Sequence, residues 1–322
     1  MTETEGLRHD YRAIVGRGER MLAVLRRVDR ATDVGVPVVL QGESGTGKEL
    51  IARCLHRNGP RRQAPFVAVN CAAIPESLLE SQLFGHARGA FTGAHRDVPG
   101  LFAQAHTGTL FLDEVSEMSL PMQAKLLRTL QEREILPVGE STTRPVDVRI
   151  ICATNADLSE RVRRGLFRED LFYRLDVLRI TLPPLRERSG DLPELCQAFL
   201  RPWGKTLSPE ALERALRYPW PGNVRELQNA LQRAAILAPG TVIGAEHLDL
   251  PRAAPDLPAG EEPLARRLER AERDHVAETL ARLAWSRARA AAALGIDRST
   301  LYRLMKKHGI EEPGPARPAR VV

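Results

Sequence analysis

Val38-Val39-Leu40-Gln41-Gly42-Glu43-Ser44-Gly45-Thr46-Gly47-Lys48-Glu49-Leu50-Ile51 is the stretch whose reading decides the fold. It opens on an unbroken apolar run, the pattern of a short strand buried on both faces. Residues 42–48 then fit GxxxxGK, and a helix-like segment follows at once. A strand, a glycine-rich turn and a helix start are the context that a phosphate-binding loop requires. The glycines let successive backbone N–H groups turn inward around phosphates, the helix N-terminus adds positive potential, and Lys48 reaches the β- and γ-phosphates. Gly42, Glu43, Ser44, Gly45, Thr46, Gly47, Lys48 and Glu49 are therefore the expected nucleotide-binding residues. Glu49 stands where most such loops place Ser or Thr on magnesium. Either Glu49 approaches the metal through water, or Thr46 and an acidic strand share that duty.

Outward from this loop, strand-like runs recur at Phe66–Asn70, Thr109–Asp113 and Val148–Thr154, each followed by a helix-like segment. Such alternation predicts an α/β fold with a parallel sheet, helices on both faces, and ligands at the carboxyl ends of the strands. Thr109-Leu110-Phe111-Leu112 ends in Asp113-Glu114, the place for a magnesium-holding Asp113 and a Glu114 that polarises the attacking water. Asn155 and Asn70 close two further strands. Asn155 reads either as a reporter on the γ-phosphate or as a strand-end cap, and Asn70 as a residue that holds Glu114 in or out of line.

Beyond Pro183-Pro184, residues 191–247 show helical periodicity interrupted by prolines, so a small all-helical domain is expected. Within it, Gly222 or Asn223 starts a helix whose early Arg225 points back at the phosphates. Residues 251–263 have the composition of a semi-stiff linker. A second helical unit runs from about Leu264 to Gly309, and the Pro/Arg-rich tail after it reads as disordered.

At 322 residues, two or three domains are expected. No apolar run approaches the roughly 18 residues that cross a bilayer, and the acidic start Met1-Thr2-Glu3-Thr4-Glu5 is the reverse of a targeting segment. No membrane is therefore among the expected partners. Cys54, Cys71, Cys152 and Cys196 lack CxxC spacing, which argues against zinc or a disulfide framework and for buried residues in a reducing cytoplasm. The net charge of +6 resides in residues 264–322, with thirteen Lys/Arg against seven Asp/Glu. That excess suggests a polyanion partner.

Between the loop and the acidic strand stands Gly89-Ala90-Phe91-Thr92-Gly93-Ala94. Glycines free its backbone at both ends and alanines keep it slim, so Phe91 and Thr92 either ride on the tip of a hairpin-like loop or Phe91 folds back as a core anchor. Arg168 and Arg174, six apart, read alone as surface salt-bridge partners. In a ring they could project into a neighbour's nucleotide as arginine fingers.

Taken together, residues from about 14 to 247 resemble the AAA+ ATPase domain of bacterial enhancer-binding proteins, the activators of sigma-54 RNA polymerase. The resemblance rests on the loop with its Glu49, Phe84-Gly85-His86 leading into residues 89–94, Leu110–Glu114, Ala153–Asn155, Leu182–Arg188 and Trp220–Leu227, in that family's order. It implies an ATP- and Mg2+-dependent ring, a homo-oligomer from dimer to hexamer, in which hydrolysis moves the 89–94 loop against sigma-54 and remodels closed promoter complexes into open ones. It also implies that Asn70 switches Glu114, that Arg168 and Arg174 act in trans, and that Arg225 is the lid sensor. Two positions depart from the pattern. Thr107-Gly108 replaces the usual Gly-Gly before the acidic strand, and Pro137-Val138-Gly139 replaces Arg-Val-Gly in a second loop.

In the C-terminal unit, Leu268, Val276, Leu280 and Leu283 recur at helical spacing, which fits a packing or dimer face or ordinary core. Residues 287–294, a turn at 295–297 and residues 298–308 form a helix-turn-helix, with Asp297 capping the second helix. Arg298, Ser299, Thr300, Tyr302, Arg303, Lys306 and Lys307 remain for double-stranded DNA. The unit resembles the Fis-type DNA-binding domain; a helical dimerisation hairpin is the alternative. The expected organisation is a short segment 1–13, an ATPase subdomain 14–184, a lid 185–250, a linker 251–263, a DNA-binding domain 264–310 and a tail 311–322. Rival functions are an unfoldase serving a protease, which has no use for a DNA-binding tail, and a repressor with a vestigial ATPase, which would have lost Lys48, Asp113 or Glu114. With the fold beginning near Tyr11–Val15, control is expected from a partner in trans, from expression level, or from a signalling domain outside this sequence.

Overall fold

The computed structural model describes residues 6–91, 93–250, 264–283, 285–308 and Ile310, with the side chains of residues 264–271 and Lys307 outside that description. Thr92, the 251–263 segment and the 311–322 tail thus lie outside the described residues. The chain divides into two compact units, residues 1–250 and 251–322.

Five parallel strands organise the first unit: β1 (Val38–Gln41), β2 (Phe66–Asn70), β3 (Thr109–Asp113), β4 (Arg149–Thr154) and β5 (Leu178–Thr181), in the order β2-β3-β4-β1-β5. The first four are the apolar runs of the sequence. Side chains alternate across the sheet, as the two-residue strand period demands. Val39, Leu110, Leu112, Ile150 and Cys152 pack on one face, and Val38, Leu40, Phe111, Ile151 and Ile180 on the other. Helices α1 (Glu19–Thr32) and α2 (Lys48–Asn58) cover the second face through Leu25, Val28, Ile51 and Leu55. Helices α3 (Glu76–Phe84), α4 (Leu120–Glu132), α5 (Leu158–Arg163) and α6 (Glu169–Leu175) cover the first through Leu83, Leu126, Leu158 and Leu171. The register sets Asn70 beside Asp113 and Gln41 beside Thr154, so the carboxyl ends form one crest.

The lid packs α7 (Leu192–Leu200), α8 (Pro209–Arg217) and α9 (Asn223–Leu237) around buried Trp220, whose indole N–H donates to the Ala215 carbonyl at 2.8 Å. It departs from the expected all-helical domain by one short parallel ladder, Thr206–Leu207 against Val242–Ile243. All four cysteines are buried free thiols, and burial pushes Cys71 up to about 12.

The second unit contains α10 (Leu264–Arg282), α11 (Arg287–Ala293) and α12 (Arg298–His308). Its core is Val276, Leu280, Ala290, Ala291, Leu301 and Met305. Val276 and Leu280 therefore serve the unit's own core, while the side chain of Leu268 lies outside the described residues. Among the described residues, no helix is long and apolar enough to cross a membrane.

Candidate functional site

The phosphate loop leaves β1 with the Gly42 N–H donating to the Thr154 carbonyl at 3.1 Å. Gly45 (φ 78°) and Gly47 (φ 104°) take the left-handed conformations that turn the chain into α2. Lys48, at the first position of α2, is buried; its Nζ donates to the carbonyls of Gly42 at 2.7 Å and Glu43 at 3.3 Å, and lies 3.7 Å from Glu114 Oε1. The ammonium is thus held at the crest beside the end of β3.

Glu114 leaves β3 in a left-handed conformation (φ 51°), and its Oε2 accepts the Asn155 backbone N–H at 3.2 Å. Asn70, one strand away, donates its amide to Asp113 Oδ2 at 3.4 Å while its Oδ1 accepts the N–H groups of Ala72 and Ala73. The expected contact from Asn70 to Glu114 is replaced here by one to Asp113, because the strand register makes Asp113 the neighbour of Asn70. Asn155 meets Glu114 through its main chain, and its side chain stays exposed.

Over the loop sits the start of α9. The N–H groups of Val224 and Arg225 point at the Gly45 carbonyl, at 3.0 and 3.3 Å, and Arg225 Nη1 lies 3.4 Å from Ser44 Oγ. A Cβ on Gly45 would stand 2.3 Å from the Gly222 carbonyl oxygen, so glycine is required by contact as well as by φ. Ser44, Lys48, Asn70, Asp113, Glu114 and Arg225 line one cleft of ≈ 340 Å³. Against it lies an apolar pocket of ≈ 100 Å³ lined by Ile14, Val15, Leu50, Leu195, Phe199 and Val224, with Gly47, Leu50, Phe199 and Val224 shared between the two. This pocket was not foreseen from the sequence. Its walls come from four separate segments, and only Ile14-Val15 ahead of the first helix hints at it.

Two residues of the loop, Glu43 and Thr46, point away from the cleft. Glu43 turns its carboxylate to Arg186 and Asn223, and the Arg186 guanidinium, with the Asn223 amide, holds it down to about 2. Glu49 lines the cleft but also accepts from Arg53 Nε at 3.0 Å. The Thr46 hydroxyl is buried and donates to the Glu43 carbonyl at 2.8 Å, away from the cleft. Of the two routes left open for magnesium, Thr46 thus has no opening to the cleft, whereas Asp113 and Glu49 do.

Arg168 and Arg174 are absent from the lining of this cleft. Arg168 pairs with Asp170 at 2.7 and 3.0 Å, and Arg174 donates to the Leu130 carbonyl at 3.0 Å. The 89–94 loop rises from a two-residue antiparallel stem, Gly85–His86 against Val98–Pro99. The Gly89 N–H donates to the Ala94 carbonyl at 2.8 Å, and Gly89 and Gly93 have φ of 83° and 103°. Phe91 is 42% exposed and its ring meets His86 edge-on at 5.0 Å, so it is neither a free tip nor a core anchor. The second loop supports it, with Val138 bonded to Gly85 and Ala87, and Gly139 seated so close to Ala90 that a Cβ would stand 2.7 Å away.

In the second unit, Asp297 caps α12 by accepting the Thr300 N–H at 2.7 Å, and the hydroxyls of Ser299 and Thr300 donate to the same carboxylate. Those two hydroxyls are engaged within the cap. Arg298, Tyr302, Arg303 and Lys306 stay exposed on the helix; the side chain of Lys307 lies outside the described residues.

Three family models match the chain: the sigma-54 interaction domain over residues 14–181, the AAA+ ATPase lid domain over 186–256, and the bacterial regulatory protein, Fis family, over 267–308. Regulatory protein AtoC of Escherichia coli (strain K12) is 46% identical over 289 residues, which are 85% of this chain and 63% of AtoC. Transcriptional regulatory protein FlbD of Caulobacter vibrioides is 42% identical over 332 residues, 95% of this chain and 73% of FlbD. The crystal structure of NtrX from Brucella abortus in complex with ADP superposes with a TM-score of 0.69 at 32% identity, covering 92% of this chain and 69% of that one. The chain therefore spans a little under two thirds of AtoC.

Proposed function

The chain belongs to the sigma-54 interaction-domain family of AAA+ ATPases, and from that premise we propose that it is a DNA-binding activator that spends ATP hydrolysis on opening sigma-54 promoter complexes. The observation that carries the reading is the convergence of Lys48, Asn70, Asp113, Glu114 and Arg225 on one cleft. NtrX has been crystallised with ATP as well as with ADP. By likeness, the triphosphate of ATP takes the cleft here, against the N–H groups of the loop and Lys48, and the base takes the apolar pocket.

Glu114 is placed to accept a proton from water as that water attacks the γ-phosphorus. The bond from the γ-phosphorus to the β–γ bridging oxygen breaks, and ADP and phosphate leave. Magnesium would be held by Asp113 with Glu49 beside it, and when bound it neutralises charge on the β- and γ-phosphates. Among the described residues no group of three or more His, Cys, Asp or Glu gathers around a metal position, which suits an ion that shares its coordination between one or two carboxylates and the phosphates. Arg168 and Arg174 supply charge to a neighbouring subunit's γ-phosphate in a ring. The 89–94 loop meets sigma-54, and α12 meets upstream DNA with Arg298, Tyr302, Arg303, Lys306 and Lys307. The loop and the site share a lever, since Asn70 bonds the turn from which α3 starts and α3 ends at the loop's stem.

Open-complex formation on a sigma-54 promoter with ATP tests this reading. The parent chain is expected to open the promoter. Thr92→Ala is expected to hydrolyse ATP without opening it, and Glu114→Gln to bind ATP with turnover reduced about 10²–10⁴-fold. Promoter opening by Thr92→Ala at the parental level would remove the loop from the mechanism.

A further inference from the structure

We propose that Glu43, Arg186 and Asn223 form a latch that clamps the helical lid onto the phosphate loop and thereby positions Arg225 in the cleft. The latch rests on the ATPase reading above and deepens it: Glu43 is a positioning residue rather than a ligand of the nucleotide. Arg186 reaches the carboxylate as a fork, Nη2 to Oε1 at 2.6 Å and Nη1 to Oε2 at 2.8 Å. Asn223 Nδ2 donates to the same Oε2 at 3.1 Å and to the Ser44 carbonyl at 3.0 Å. Its other end is tied as well, for Asn223 Oδ1 accepts the Leu185 N–H at 2.7 Å. Two lid segments 37 residues apart in sequence therefore converge on one loop carboxylate.

A bidentate pair whose side chains are 46% and 41% exposed is ordinarily a surface feature of small worth. Asn223 sets this one apart. It is fully buried and holds φ at 53°, a left-handed conformation that asparagine adopts more readily than most side chains, and its amide is tied at both ends. That conformation sends the chain into α9 with the N–H groups of Val224 and Arg225 aimed at the Gly45 carbonyl. With these contacts formed, the Arg225 side chain reaches the cleft beside Ser44, its Nη1 3.4 Å from the hydroxyl. Glu43 itself is absent from the lining of the cleft. Its carboxylate thus acts on the nucleotide only through the lid.

The test is ATP turnover by the full chain in four variants, Glu43→Gln, Arg186→Ala, their combination, and Glu43→Gln together with Arg225→Ala. Each latch variant is expected to raise the KM for ATP about fivefold, the effect of one partly exposed charge pair. Melting temperatures are expected to stay within about 2 °C of the parent for so exposed a pair. The combination is expected to be no worse than either single change, since both break one contact. In the Arg225→Ala background, Glu43→Gln is expected to add nothing. A parental KM in Glu43→Gln overturns the latch, and so does an equal cost with and without Arg225. If the parent itself fails to hydrolyse ATP, the functional reading falls and the latch with it. A parent that hydrolyses ATP with a KM that Glu43→Gln does not move removes the latch alone.

Discussion

Thr107 holds φ at 64° just before β3, a left-handed conformation that crowds a β-branched side chain. Its N–H donates to the Asp147 carbonyl at 2.7 Å and its hydroxyl to the His106 carbonyl at 2.6 Å, so the surroundings hold the strain in place. Gly108 beside it has no alternative, because a Cβ there would lie 2.0 Å from the Pro65 carbonyl oxygen. Thr107→Gly is expected to stabilise the first unit by about 1 kcal/mol, a strain of roughly 1–3 kcal/mol relieved against about 0.5–1 kcal/mol of added chain entropy. Chemical denaturation checks it, through a midpoint that rises at unchanged slope. The sequence marks Thr107 as a departure but cannot supply its φ, which depends on the Asp147 contact 40 residues away. Lys48, Asp113 and Glu114 are legible for the opposite reason, since local sequence places each: the glycine loop between β1 and α2 sets Lys48, and the end of β3 sets Asp113 and Glu114. Asn70 lies between these cases: its place at a strand end is legible, whereas its bond to Asp113 depends on which strands pair.

Among the elements, β1, β3 and β4 are legible because a strand buried on both faces must be apolar nearly throughout. β2, at a sheet edge with only Val69 buried, is legible because residues 66–69 are an apolar run all the same. In β5, Leu178-Arg179-Ile180-Thr181, only Ile180 is fully buried at the sheet edge, so no apolar run announces it. The two-residue ladder in the lid and the apolar pocket beside the cleft are contacts between distant segments, and local pattern carries little of them beyond Ile14-Val15. Helix α12 is legible in part: Asp297 is a cap by type and position, and Leu301 enters the core, but helical spacing offers Leu304 as its companion where the structure buries Met305 more fully. In the proposed DNA contact its exposed face would do different work at its two ends. Arg298, at the start, would read base edges, whereas Lys306, two turns on, would meet phosphate. Lys306→Ala is expected to weaken binding to specific and unrelated DNA alike and to lower the slope of log K against log salt by about 1. Binding isotherms at several salt concentrations measure it. A loss confined to one DNA sequence would move Lys306 from the phosphate class to the base-reading class.

For the whole molecule, the open question is what Arg168 and Arg174 serve. Neither lines the cleft of its own chain. Arg174 instead shares a hollow of ≈ 390 Å³ at the opposite ends of the strands with Tyr173 and Val177, which are 68% and 54% exposed. Large apolar side chains left in water beside a guanidinium suit a face that a second copy covers. If Arg168 works only on a neighbour's nucleotide, two defects in different chains must complement each other. Lys48→Ala removes the phosphate contact but keeps both arginines, and Arg168→Ala keeps its cleft but lacks one finger. Each variant alone is expected to have little ATP turnover. In an equal mixture that assembles at random, an intact cleft faces an intact finger at about a quarter of the interfaces, so about a quarter of parental turnover is expected to return. Recovery is also expected to fall on dilution, because the active interface exists only between chains. A mixture as inactive as its components, under conditions where the parent turns over, would confine Arg168 to its pair with Asp170 and leave the cleft to work without it.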